Sequence, residues 1–180
     1  MKVIHIMDSL NVAGGVNSFV YDLCLAMKKQ NVDVSLIGIL DSSKKDNDSV
    51  KKLKENGVGA KSKKDALTRY CPMLRKAIVQ IASDEQTVCN LHLKLSVLLV
   101  GMATTGLRNV KCVETYHSQY SHYSLEYNLM RPRISLYIPC SKSAGVEMQS
   151  RFHVPKEKMC VISNGIDYES ISKVVPEKNN

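Results

Sequence analysis

Short apolar runs alternate with amphipathic stretches along most of the chain. The first run, Lys2 to Met7, leads into a loop ending in Gly14-Gly15. Val16, Phe19, Val20, Leu23 and Met27 then follow the i, i+3/i+4, i+7 spacing of one buried helical face. Val32 to Ile39 alternates and then turns fully apolar, as a buried strand does. Polar residues 41 to 48 predict a loop, Ser49 to Glu55 a short helix stopped near Gly57, and Val58 to Lys61 a weak strand. Leu67, Leu74, Ile78 and Ile81 fit a helix over 64–83, with Pro72 giving it an irregular start or a kink.

The second half repeats the alternation. Gln86 to Leu91 predicts a strand, Leu93 to Thr105 a nearly all-apolar helix, and Val110 to Tyr116 a strand. Ser118 to Asn128 is polar and tyrosine-rich, a helix or a loop that ends at Pro132. Ile134 to Cys140 predicts a strand. Ser141 can then cap a helix over 142–151 through its hydroxyl. Met159 to Ser163 predicts a last strand, closed by Asn164-Gly165, before a polar end over 170–180. Strands alternating with helices imply an α/β fold: a Rossmann-like, doubly wound, largely parallel sheet of six or seven strands with helices on both faces. In such a sheet the ligand loops lie at the carboxyl ends of the strands. The loops after Met7, Leu91, Tyr116 and Cys140 would share that edge.

Composition narrows the class. The 180 residues suit one domain, with no tryptophan and two phenylalanines, so Val, Leu, Ile and Met must supply the core. The six cysteines are scattered, without a CxxC or Cys/His cluster, which predicts reduced thiols and no metal site. No signal-like segment is visible, and the longest largely apolar stretch, Leu95 to Ala103, is about half a membrane span. A cytoplasmic location follows as an expectation. Between Asp41 and Lys76 stand eleven Lys/Arg against five Asp/Glu, which accounts for six of the eight net positive charges. Lys44, Lys45, Lys51, Lys52, Lys54, Lys61, Lys63 and Lys64 could hold the chain against an anionic membrane surface; as readily, they solvate a loop and a helix face.

Four positions on the predicted ligand edge carry chemistry. Gly14 and Gly15 offer backbone donors at a helix N-terminus, where an anion is stabilised. His92 and His117 each end a strand, placed to hydrogen-bond a ligand or to exchange a proton near neutral pH. Ser141 opens a helix at the end of another strand. Each lone histidine is as readily a polar residue satisfied by the backbone; two on one edge with the glycine loop weigh more. His5, His122 and His153 have no comparable placement. The usual phosphate motifs are missing: there is no GxGxxG, and Gly101-x4-Gly106 is followed by Leu107-Arg108, unlike a P-loop. There is no GxSxG elbow or zincin motif either.

Four segments in order resemble the group 1 (family 4) retaining glycosyltransferases. They are Lys2 to Ile39, Val113-Glu114-Thr115-Tyr116-His117-Ser118, Pro139-Cys140-Ser141-Lys142-Ser143, and Val161-Ile162-Ser163-Asn164-Gly165-Ile166-Asp167. The last matches that family's Pro-Asn-Gly-Ile/Val-Asp signature with Ser163 in place of proline.

The resemblance implies the acceptor-side, N-terminal Rossmann-like domain of a two-domain GT-B enzyme, over 1–168, with 169–180 opening a linker to a C-terminal domain. It implies transfer of a sugar, as by a hexosyltransferase in polysaccharide biosynthesis, from a nucleotide-sugar donor to a saccharide or lipid-linked acceptor. No metal, no further cofactor and no nucleic acid would be involved. Gly14 and Gly15 would approach the donor diphosphate and His117 the transferred sugar. Asn17, His92 and Ser141 would line the acceptor side of the cleft. Asn17 stands where the family often has Glu. Glu169 and Glu177 have the Glu-x7-Glu spacing of the C-terminal domain, but lie in a polar tail with no strand or glycine loop before them. The rival readings are a non-catalytic α/β module for a phosphorylated ligand and half of a GT-B-like sugar-nucleotide epimerase. The isolated domain is expected to be inactive and the parent enzyme cytoplasmic, peripheral at the inner face of the membrane.

Overall fold

The computed structural model describes residues 1–10, 14–39, 48–62, 67–92, 94–117, 129–166 and 172. Its six strands are β1 (Lys2–Met7), β2 (Asp33–Gly38), β3 (Gly59–Ser62), β4 (Thr87–Leu91), β5 (Val110–Tyr116) and β6 (Ile134–Pro139). All pair in parallel in the order β3-β2-β1-β4-β5-β6. The order reverses between β1 and β4. The carboxyl ends of these two strands therefore open onto a crevice, because their crossovers leave in opposite directions.

The connecting helices are α1 (Gly15–Lys29), α2 (Asp48–Glu55), α3 (Leu67–Ala82), α4 (Lys94–Ala103) and α5 (Lys142–Phe152). The period-2 alternation of the strands sorts their side chains between two cores. Ile4, Ile6, Ile37, Cys89, Leu91 and Cys112 point to the face covered by Leu74 and Ile78 of α3, Val97 and Val100 of α4 and Met148 of α5. Met7, Val34 and Leu36 point to the other face, under Val20 and Cys24 of α1 and Val50 and Leu53 of α2. On α1 the fully buried line is Val20 and Cys24, with Val16, Phe19 and Met27 partly buried beside it. Leu23, expected on the buried face, is only half-buried.

Pro72 lies inside α3, where it removes one hydrogen bond of the helix. The strand expected over 159–163 is reduced to one bridge, Tyr137 with Met159. Two backbone bonds, Cys160 N–H to Tyr137 O (2.9 Å) and Ile162 N–H to Pro139 O (3.1 Å), hold the segment along β6. No described element packs on its outer side. Val161 (46% exposed), Ile162 (54%) and Ile166 (73%) consequently bury too little to complete a seventh strand. The stretch 118–128 lies outside the described residues, and no described helix is long and apolar enough to cross a membrane.

Candidate functional site

The site is built where β1, β4 and β5 end beneath the first turn of α1. Alternation sends His5, Asn90 and Thr115 to the α1 face of the sheet, opposite the apolar Ile4, Ile6, Leu91 and Cys112. His92 and His117 follow directly after β4 and β5 in the same phase. Within this polar stripe the Thr115 hydroxyl donates to Asn90 Oδ1 at 2.9 Å. The three histidines form a chain: His5 Nδ1 lies 2.9 Å from His92 Nε2, and His92 Nδ1 lies 3.2 Å from His117 Nε2. At the inner end, His5 Nε2 meets Met27 Sδ of α1 at 3.2 Å. At the outer end, Phe19 of α1 packs edge-on against the His117 ring, with centroids 5.5 Å apart.

Burial governs the charge of this chain. His5 is 1% exposed and His92 3%. Loss of hydration penalises the imidazolium, pushing His5 and the half-buried His117 down to about 4. His92 is held well below its ordinary value by burial first, then by the two neighbouring imidazoles. All three are neutral near pH 7. Acting as a general acid there would require protonating a group that burial keeps unprotonated.

Of the helix N-termini at this edge, those of α1, α4 and α5 follow β1, β4 and β6 around the histidine chain, and their donors are met differently. The α4 terminus is served by Asp8, just past β1, whose carboxylate accepts from the Ser96 backbone N–H while burial raises its pKa. The α5 terminus is capped by Ser141, whose hydroxyl accepts from Ala144 N–H at 3.1 Å and also lies 2.9 Å from the Ser143 hydroxyl. The N-cap of α1 is Gly14, which has no side chain to cap with, and the first turn carries no acidic residue. Gly14 stands there at φ 120°, a backbone state that L side chains rarely adopt, and a Cβ on Gly14 or Gly15 would meet nothing within 4 Å. Among the described residues, packing therefore does not require Gly15 to lack a side chain. What Gly15 leaves is open space in front of α1's partial positive charge.

Gly14, Gly15, His92 and His117 thus lie at one edge of the sheet, with His92 buried. Phe19 lies one helical turn beyond Gly15, which places the α1 terminus beside His117. Asn17 is half-buried in the first turn of α1. Ser141 shares the sheet edge one strand further on, with its hydroxyl already engaged as a cap. Sequence reasoning missed His5, Asp8, Phe19 and Met27; His5 in particular is buried and bonded to His92, contrary to the expectation that it stood apart. Among the described residues no cluster of ligating side chains could hold a metal ion.

The profile of Glycosyltransferase Family 4 matches residues 13–170. The chain belongs to that family. Solved structures share its fold. A glycosyltransferase from Rickettsia africae superposes with a TM-score of 0.73 at 16% identity, covering 98% of this chain and 47% of its own. The lipopolysaccharide outer core galactosyltransferase WaaB gives 0.72 at 12%, covering 100% and 50%. Anabaena HepE, solved in complex with UDP, gives 0.66 at 18%, covering 93% and 45%. The family 4 chain described here spans about half the length of these structures. No curated protein matches it significantly in sequence.

Proposed function

We propose that the chain is the acceptor-side half, residues 1–168, of a retaining glycosyltransferase that moves a hexose from a nucleotide-sugar donor to a saccharide or lipid-linked acceptor. Residues 169–180 would open the linker to a second, donor-binding domain. The observation that carries this reading is the glycine N-terminus of α1, with Phe19 of the same helix packed on His117, at the point where the strand order reverses. Leaving-group charge grows on the diphosphate as the sugar departs. Backbone N–H groups already aimed at that position stabilise it without reorganising. Asp8 and Ser141 occupy the ends of α4 and α5, the helices nearest the histidine chain besides α1, which favours the α1 terminus for an anion at this site. His117 would face the sugar, with Asn17 beside it and Ser141 further along; His92, expected to line the cleft, is 3% exposed and bonded to both neighbouring rings, and so stands behind His117 instead. Anabaena HepE, similar in fold and solved in complex with UDP, supports a uridine nucleotide as the first donor to try. We further propose peripheral adsorption of the parent enzyme to an anionic membrane through the basic segment, supported by the exposed Lys51, Lys52 and Lys54 of α2.

The test compares the 180-residue chain with the longer product of its parent reading frame, by release of UDP from UDP-hexoses with added acceptor. Turnover is expected only from the longer product and lost on His117→Ala. Without both halves of the cleft, donor and acceptor are not held together and effective molarity is forfeited. Robust transfer by the 180 residues alone would refute the assignment of halves. Epimerisation of the donor by the longer product would refute transfer.

A further inference from the structure

The histidine chain ends on an atom that can only accept. A thioether sulfur has no hydrogen to give, whereas a neutral imidazole has one N–H and one lone pair. His5 Nε2, at 3.2 Å from Met27 Sδ, gains a hydrogen bond only as the donor. Its Nδ1 is then a lone pair and must receive, so His92 Nε2 carries the hydrogen across the 2.9 Å contact. His92 Nδ1 is in turn a lone pair and must receive from His117 Nε2 at 3.2 Å. The remaining atom, His117 Nδ1, has no hydrogen and no partner among the described residues. Reversing every bond would set the His5 Nε2 lone pair against the sulfur's lone pairs and leave the inner contact without a proton. A charged His92 would also turn His117 around, but His92 is 3% exposed and stands between two other imidazoles, with no acidic partner among the described residues.

We propose that Met27, acting through His5 and His92, fixes His117 as the Nε2–H tautomer, so that its Nδ1 accepts a hydrogen bond from a ligand hydroxyl and repels a phosphate oxygen. Met27, His5 and His92 are then positioning residues. Their sequence positions, three helical turns into α1, inside β1 and just past β4, meet only because the strand order sets β1 beside β4 under α1. The division of labour at the site follows. An unprotonated phosphate oxygen brings lone pairs only, so it is directed to the backbone donors at Gly14 and Gly15. A sugar hydroxyl brings a hydrogen, so it is directed to His117. The ligand assignment rests on the nucleotide-sugar reading above; the tautomer assignment does not.

The tautomer is read from the two nitrogen shifts of each ring in the 180-residue chain labelled with 15N-histidine, at pH 7. His122→Gln and His153→Gln remove the two rings outside the cluster. His5, His92 and His117 are each expected to show a protonated Nε2 and an unprotonated Nδ1. Finding hydrogen on His117 Nδ1 in the wild type overturns the proposal, whatever any variant does. Met27→Leu keeps the volume and removes the acceptor. It is expected to give His117 a mixture of tautomers, while an unchanged His117 would overturn the role of Met27. Added inorganic phosphate is expected to leave the unprotonated Nδ1 signal in place, and conversion of that signal to the protonated type would overturn the selectivity. None of these readings depends on turnover, so transfer can fail while the tautomer stands, and the reverse.

Discussion

His5, His92 and His117 act as one unit whose proton affinity is lowered by burial. Both His5 and His117 bind a proton in the folded state only near pH 4, against 6.5 for an exposed histidine. Between these values the unfolded chain binds more protons than the folded one, so stability rises with pH there. Each such histidine contributes a slope of up to about 1.4 kcal/mol per pH unit. Asp8 has the opposite sign, its carboxyl being raised by burial, and offsets part of the effect toward the acid end. Denaturant unfolding should therefore give full stability above about pH 6.5. It should show a steep fall toward pH 4 that is smaller in His5→Gln. A midpoint independent of pH across that window would mean that the buried imidazoles accept charge freely. At this scale the sequence was informative about His92 and His117, which end strands, and silent about His5. A histidine inside an apolar strand looks like a satisfied core residue until its neighbouring strand is known.

The elements were legible wherever periodicity was strong. β1, β4, β5 and α1 fall within a residue or two of their expected bounds, and Ser141 caps α5 as its hydroxyl predicts. The expected last strand was not legible. Val161 and Ile162 have strand composition, but strand character there depends on an outer partner that no local pattern reveals. The start of α1 gives the prediction that belongs to this scale. Gly14→Ala forces φ 120° on a side chain and should cost stability of about 1 kcal/mol or more. Gly15→Ala meets open space and improves helix propensity. Its stability should hold or rise slightly, while affinity for UDP falls several-fold as the methyl group enters the space before the helix end. Paired thermal melts and UDP binding on the two variants separate the roles. Gly15→Ala binding UDP as well as the wild type would remove the diphosphate from this turn.

Over the whole molecule, the parallel sheet and the shared ligand edge followed from the βα alternation and the right-handed crossover. The histidine chain required the strand order, which alternation alone does not contain. The proposed membrane contact belongs here too. Lys51, Lys52 and Lys54 are exposed, although Lys51 is paired with Asp48 at 2.9 Å; Lys44, Lys45, Lys63 and Lys64 lie outside the described residues, as does the side chain of Lys61. Each basic residue at an anionic bilayer contributes about 1 kcal/mol, screened by salt. Co-sedimentation with anionic vesicles is expected at low salt, to be lost at high salt and weakened by Lys51→Glu, Lys52→Glu and Lys54→Glu together. Equal binding to neutral vesicles would contradict an electrostatic contact.

Whether the α1 terminus and His117 form one nucleotide-sugar site is decided by following the backbone amides and histidine rings of the 180-residue chain by NMR as UDP and then a UDP-hexose are added. UDP is expected to move the amides of Gly14, Gly15 and Val16, and the added hexose to move the His117 ring. Amides at Gly14 and Gly15 that stay unmoved at millimolar UDP, or shifts confined to the opposite edge of the sheet near Gln86 and Asn109, would contradict a single site.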